Sequence, residues 1–100
     1  MDPDLPSFMI ADVVRSTAGR DEGSLYYVIE VSEPYLLLVN GKDRSIEKPK
    51  RKKCKHTIMV LRPETRVAEK LRSGEKVLSS EIRKDLAYLS RGNQENNLGG

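Results

Sequence analysis

Apolar and polar residues alternate over much of the first sixty positions, with the two-residue period that is typical of β-strands. The pattern predicts strands at about residues 8–16, 24–31 and 35–39, because β-branched and aromatic residues are concentrated there. One face of the second strand is expected to be apolar and to consist of Leu25, Tyr27, Ile29 and Val31.

Turn residues separate these strands and predict two more. Asn40-Gly41 predicts a two-residue hairpin, since a type I′ turn needs positive φ at both central positions. A fourth strand is then expected at about 43–48, halted by Pro49, and a fifth at about 57–61. Five short strands predict a small barrel, because closure removes the exposed edges of a small sheet.

The rest of the chain predicts two short helices. Pro63 suits the first turn of the first helix, and Gly74 ends that helix. Ser79 or Ser80 caps the second helix, and Gly92 ends it. Their apolar stripes are Val67, Ala68 and Leu71 in the first helix, and Ile82, Leu86 and Leu89 in the second. The chain thus divides into a β domain at 1–61, a helical extension at 62–92 and a flexible tail at 93–100.

Composition narrows the class of protein. One hundred residues form one small domain, and no run approaches the roughly 20 apolar residues of a membrane span. The acidic start Met1-Asp2-Pro3-Asp4 is not typical of a secretory signal. The single cysteine, Cys54, cannot form an internal disulfide. A cytoplasmic protein is expected.

The net charge of +3 hides a strongly basic segment at residues 42–55. This basic segment contains eight Lys or Arg and two acidic residues, a net charge of +6, and leaves −3 for the rest. Its cations are Lys42, Arg44, Lys48, Lys50, Arg51, Lys52, Lys53 and Lys55. Because like charges repel, such a segment favours a polyphosphate partner, and its predicted position between two strands presents the charge on one side. A solvated loop or a localisation signal are the alternatives.

A glycine-flanked turn before the second strand carries a family resemblance. Val13-Val14-Arg15-Ser16, then Gly19-Arg20-Asp21-x-Gly23, then Tyr27-Val28-Ile29-Glu30-Val31 resemble a KOW motif. The resemblance covers roughly residues 9–90 and is closest to the small KOW-domain RNA-binding proteins of Gram-positive bacteria, which are similar to eukaryotic and archaeal ribosomal large-subunit KOW proteins. Further along the chain it is carried by Asn40-Gly41-Lys42, Glu47-Lys48-Pro49-Lys50, Lys55-His56 and Gly74-Glu75…Glu81-Ile82-Arg83.

The resemblance implies an SH3-like barrel that binds structured RNA, specifically ribosomal RNA of the large subunit, with ribosomal proteins as further partners. The motif positions that it assigns to RNA contact are Arg15, Gly19, Arg20 and Gly23. The chain departs from the family at Glu22, where many members have Lys or Arg, and at Ala11, where they have Gly. Because Glu22 weakens the positive charge of the turn, the basic segment and His56 are the stronger candidates for contact with RNA.

Three residue types invite other interpretations. His56 lacks a nearby nucleophile or paired carboxylate in the sequence, so a phosphate or base contact or a structural role is expected. Cys54 lies among cations, which predicts a lowered thiol pKa. One Cys and one His cannot build a structural zinc site without a second chain. The tyrosines are interpreted as core or cross-strand packing rather than as a stacking platform for bases, and Tyr26 is a better candidate for exposure than Tyr27.

The sequence therefore predicts a mainly β RNA-binding protein without enzymatic activity, cofactor, metal or small-molecule substrate. The alternative is a protein-interaction module that contacts RNA polymerase or a translation or transcription factor. The two differ in salt dependence, since phosphate contacts weaken as salt rises and apolar contacts do not.

Overall fold

The structure, a computed structural model, describes the backbone of residues 7–99 and the side chains of residues 7–92. The elements are β1 (Val13–Ser16), β2 (Leu25–Ser32), β3 (Tyr35–Val39), β4 (Lys50–Lys53), a 3₁₀ turn (Cys54–His56), β5 (Thr57–Leu61), α1 (Arg66–Ser73) and α2 (Ser79–Gly99). All five strands form one antiparallel sheet in the order β4-β3-β2-β1-β5, with β4 and β5 at its edges. A mainly β fold with two C-terminal helices is therefore confirmed.

The third and fifth predicted strands are confirmed at both ends, and the second is shifted by one residue. The first strand begins five residues later than predicted. Ala11 has a φ of 74°, and the backbone N–H of Asp12 donates to the carbonyl of Met9 at 3.0 Å, so a turn occupies residues 9–12. Glycine is the residue that adopts a positive φ without strain, so alanine is an unusual residue at position 11.

The predicted fourth strand at 43–48 is wrong. Residues 40–45, called here the Asn40 loop, are held instead by the Asn40 side chain, whose Oδ1 accepts hydrogen bonds from the N–H groups of Lys42 (2.9 Å) and Arg44 (3.0 Å). Gly41 has positive φ but Asn40 does not, so the type I′ hairpin does not form. The strand that pairs with β3 starts only after Pro49, which cannot donate to a ladder.

The sheet has apolar residues on both faces. One cluster joins the sheet to the helices and includes Val13, Tyr27 and Val39; the other lies on the opposite face and includes Val14, Tyr26 and Leu38. The β2–β3 register shifts between Val28 and Glu30. This irregularity moves Val31 into the second cluster, so the prediction that it shares a face with Leu25, Tyr27 and Ile29 is wrong.

The helices cover the first cluster with the residues that the sequence predicts. Val67, Ala68, Ile82 and Leu86 are buried, and Leu71 and Leu89 pack beside them. The first helix starts later than expected: Thr65 is its N-cap and accepts from the N–H of Ala68 at 3.2 Å, so Pro63 precedes it. Gly74 ends it with a φ of 77°, as predicted.

The second helix departs from the prediction at both ends. Ser79 is its first residue rather than its cap, and the Glu81 carboxylate accepts from the N–H of Leu78 at 2.9 Å. It continues beyond Gly92 to Gly99, because one glycine costs a helix only about 1 kcal/mol, so the predicted end at Gly92 is wrong. Residue 100 and the side chains after Gly92, on which the predicted flexible tail falls, lie outside the described residues.

Two polar contacts and one glycine attach the helices to the sheet. The Tyr27 hydroxyl donates to the Asp85 carboxylate of α2 and lies 3.2 Å from the Thr65 hydroxyl that caps α1. Gly41 of the Asn40 loop packs so closely on α2 that a Cβ there would lie 2.2 Å from the Ser79 carbonyl oxygen. The Asn40 loop therefore depends on α2 for its position.

A buried carboxylate fixes the segment before β1. Asp12 is fully buried and accepts from Arg62 Nε at 2.7 Å and from the N–H of Met9 at 2.8 Å. The Arg62 guanidinium also reaches the carbonyl of Ser7 at 3.0 Å, so it holds this segment against the end of β5. In the described part of the chain, neither helix has the length and apolar content needed to cross a membrane.

Candidate nucleic-acid interface

The centre of the basic segment is a strand, which corrects the prediction that it is an inter-strand loop. Lys50–Lys53 form β4 because each residue pairs with β3, from Leu38↔Lys50 to Tyr35↔Lys53. Side chains alternate across a strand, so Lys50 and Lys52 lie on the face of the second apolar cluster, and Arg51 and Lys53 lie on the opposite face. The positive charge is thus divided between two surfaces rather than presented on one.

Asp21 connects β4 to the glycine-flanked turn at residues 17–24, called here the Asp21 turn. Its carboxylate accepts from Lys52 Nζ at 2.8 Å, from the Tyr26 hydroxyl at 2.7 Å and from the Ser16 hydroxyl at 2.9 Å. Lys50 Nζ lies 3.5 Å from the same carboxylate. Lys52 also donates to the carbonyl of Ala18 at 3.0 Å, and its side chain is only 9% exposed. Lys52 is therefore a structural cation, not a free one.

The titration of Asp21 reflects this environment. Desolvation raises its pKa, but the hydrogen bonds from Lys52, Tyr26 and Ser16 and the charge of Lys52 outweigh it and hold the pKa far below its ordinary value. Desolvation and the hydrogen bond to Asp21 raise the pKa of Tyr26 well above its ordinary value. The Tyr26 hydroxyl therefore remains a donor, and Asp21 remains an anion that Lys52 neutralises.

Between the Asp21 turn and the Asn40 loop lies a cleft of about 530 Å³, called here the basic cleft. Its lining residues are Arg20, Asp21, Ser24, Tyr26, Asn40, Lys42, Asp43, Arg44 and Lys50. Four of these are cations from three separate parts of the chain. Of the two carboxylates, Asp21 is paired with Lys52, and Asp43 accepts from Asn40 Nδ2 at 2.8 Å, which lowers the pKa of Asp43. Because the four cations outnumber these two carboxylates, the cleft is net positive.

The two glycines of the Asp21 turn have a conformational role. Gly19 and Gly23 have φ values of 89° and 92°, which L-residues rarely adopt. Their backbone closes the turn, as the N–H of Gly23 donates to the Ser16 carbonyl at 2.8 Å and the N–H of Glu22 to the Gly19 carbonyl at 3.2 Å. A Cβ on Gly23 would meet nothing within 4 Å, so the required φ, not crowding, selects glycine there.

The structure brings together only part of the predicted site. Arg20, Lys42, Arg44 and Lys50 share the basic cleft. The other predicted cations do not line it: these are Arg15, Lys48, Arg51, Lys52, Lys53 and Lys55. Arg15 is exposed on β1 opposite Ile58, and His56 is half-buried, its carbonyl accepting from the N–H of Thr17 at 2.9 Å.

Two residue predictions are wrong. The Cys54 thiol has a raised, not a lowered, pKa, because burial and the charge of Glu33 outweigh a backbone hydrogen bond that lowers it. Tyr26 is 3% exposed, since its ring lies in the second apolar cluster and its hydroxyl is used by Asp21. The prediction that Tyr26 is a packing residue is confirmed, and the prediction that it is exposed is wrong.

Sequence reasoning did not find the acidic partner that organises the cleft. Asp21 lies 31 positions from Lys52, and nothing in the spacing of the two residues indicates that they meet. The only signal was the pair of glycines around it, which predicts a tight turn but not what the turn contacts.

No model of a known protein family matches the chain, and a search of curated proteins finds no similar relative. Among the described side chains, no group of three or more His, Cys, Asp and Glu residues is arranged to hold a metal ion. The geometry of the basic cleft and the motif resemblance are therefore the basis for assigning a function.

Proposed function

We propose that the protein binds structured RNA by placing phosphates of the RNA backbone in the basic cleft. The observation that carries the proposal is the convergence of Arg20, Lys42, Arg44 and Lys50 on one cleft. Of its two carboxylates, Asp21 is already paired with Lys52. Cations this close together repel one another, and anionic phosphates relieve that repulsion while releasing condensed counterions.

The construction of the cleft suits phosphate more than a neutral ligand. Its cations come from a glycine-closed turn, a loop held by the Asn40 side chain, and a strand. The backbone that carries these cations is therefore held in place before binding, and it is mainly their side chains that must become ordered. Loop and strand cations that meet a folded RNA contact mainly its backbone, so recognition of RNA shape is favoured over recognition of sequence.

The KOW resemblance extends this proposal to the ribosome. We also propose that the protein belongs to the KOW group and forms an SH3-like barrel. Its ligand would be ribosomal RNA of the large subunit, and its location would be the cytoplasm. These proposals are supported by the five antiparallel strands, the irregularities in β1 and β2, and the positive φ at Ala11 and at both motif glycines. The proposed activity is binding alone, without a catalytic step, a cofactor or a metal.

Salt dependence tests the proposal on the unmodified protein. We expect the affinity for a labelled fragment of large-subunit ribosomal RNA to fall between about 50 and 200 mM salt, with log K against log salt at a slope of roughly −3 to −4 for four phosphate contacts. Fluorescence anisotropy measures both quantities. Absence of binding at low salt contradicts the proposal. A slope near zero contradicts it as well, because contacts with phosphates weaken as salt rises.

A further inference from the structure

A second cavity lies at the other end of β4. It has a volume of about 400 Å³ and is lined by Glu33, Pro34, Lys53, Cys54 and Lys55. The N–H of Cys54 donates to the carbonyl of Pro34 at 2.8 Å, which ties the β2–β3 turn to the end of β4 and fixes two walls of the cavity. Lys53 and Lys55 are exposed, so their charges are free to reach a ligand there.

An arginine stacked on a tyrosine lies beside this cavity. The Arg51 guanidinium is 4.3 Å from the centre of the Tyr35 ring. Tyr35 pairs with Lys53 in the ladder and follows Pro34 in the chain, so it adjoins two lining residues. Because Arg51 is exposed, the face of its guanidinium that points away from Tyr35 is open to a second planar group.

We propose that this cavity receives one unpaired nucleotide of the RNA whose backbone occupies the basic cleft. The proposal rests on the proposed RNA binding and names the class of RNA: a folded RNA with an unstacked base. Lys53 and Lys55 take the phosphates of that nucleotide. Arg51, positioned over the Tyr35 ring, stacks on its base, as guanidinium planes do with splayed-out bases.

The remaining lining residues match a base better than a peptide. Pro34 and the half-buried Cys54 provide apolar walls, and the Glu33 carboxylate is an acceptor for a base amino group, as in the pairing of Glu with cytosine. An acidic peptide could pair with Lys53 and Lys55, but it would leave the Arg51 plane uncovered and would offer no amino group to the Glu33 carboxylate. The occupant most consistent with two cations, one acceptor and a planar stacking group is therefore a nucleotide.

The two sites lie on one path across the sheet edge. Lys50 lines the basic cleft and Lys53 lines the cavity, and the three residue steps between them in β4 span about 10 Å. β4 is an edge strand of the sheet, so no strand among residues 7–99 separates the two sites. An RNA strand that crosses this edge contacts both.

Two RNA hairpins that differ by one unpaired nucleotide test the inference. We expect the bulged hairpin to bind about tenfold more tightly than the fully paired one, because a gain of this size is typical of one base stacked on a planar side chain. Cys54, the only cysteine, gives a second readout, because alkylation of its thiol should slow when the bulged hairpin is bound and not when the paired hairpin is bound at the same occupancy.

The variant Arg51→Lys provides the matched control, since it keeps the charge and removes the planar group. In this variant, the ratio of the affinity for the bulged hairpin to that for the paired hairpin should fall close to one. Its affinity for the paired hairpin should stay within about twofold of the wild-type value. Equal binding of both hairpins by the wild-type protein, or unchanged alkylation of Cys54 with either, overturns the inference while the proposed function survives. If neither hairpin nor any other RNA binds, the proposed function itself is wrong.

Discussion

Gly41→Ala should lower the free energy of unfolding by about 3–5 kcal/mol, more than any other single change discussed for this protein. Two costs combine at this position. The backbone has a φ of 74°, which disfavours any L side chain, and the added Cβ would lie 2.2 Å from the Ser79 carbonyl oxygen and 2.7 Å from the Arg83 nitrogen. Both atoms belong to the backbone of α2, so neither moves aside cheaply.

Gly74→Ala is the matched control for this prediction. Gly74 has nearly the same φ, 77°, but a Cβ there would meet nothing within 4 Å, so only the backbone cost of about 1 kcal/mol remains. Urea unfolding followed by circular dichroism measures both variants. Equal destabilisation by the two substitutions would contradict the close packing of the Asn40 loop on α2.

Asp21→Asn should change both stability and its dependence on pH. At neutral pH we expect a loss of about 2 kcal/mol, because Lys52 loses its anion and two hydroxyl donors lose a charged acceptor. The folded state holds the pKa of Asp21 far below its ordinary value, whereas the unfolded chain takes up a proton near pH 4. The stability that Asp21 contributes is therefore present above that pH and is lost as the solution becomes more acidic.

Unfolding by urea between about pH 6 and pH 2 tests this sign. The free energy of unfolding of the wild-type protein should fall more steeply on acidification than that of Asp21→Asn, so the two curves converge in acid. Glu22→Gln, at an exposed carboxylate of the same Asp21 turn, is the control and should leave the steep acid dependence in place. Parallel curves for the wild-type protein and Asp21→Asn would contradict the role of Asp21.

Local sequence signals predicted the regular elements well where packing agrees with them. Tyr35–Val39 and Thr57–Leu61 are dense in β-formers, and both are strands with the predicted ends. Lys50–Lys53 has no such signal, and it is a strand only because β3 offers it a ladder. The Asn40-Gly41 signal failed because the Asn40 side chain bonds the following backbone and Gly41 packs on a helix 38 residues further along the chain.

The candidate site was predicted as a set of charges but not as an arrangement. Arg20 and Lys42 were both expected to contact RNA, yet their common cleft depends on the Asp21–Lys52 pair, which links residues 31 positions apart. Strand alternation then placed Arg51 away from the cleft and against Tyr35. Contacts between distant residues decide which cations act together, and a single sequence contains little information about them.

The central claim is that the basic cleft binds RNA. It is tested by neutralising three of its cations that make no ion pair among the described side chains, Arg20, Lys42 and Arg44, each to Gln. A control variant neutralises Arg66, Lys76 and Lys84, exposed cations of the helical region, and so has the same net charge.

Anisotropy titrations of both variants with the same labelled ribosomal RNA fragment give the result directly. The cleft variant should bind about a hundredfold more weakly than the wild-type protein, and its slope of log K against log salt should be shallower by about 2 to 3, while the control variant stays within about threefold. Equal losses in the two variants, or an unchanged slope in the cleft variant, would contradict RNA binding at the basic cleft.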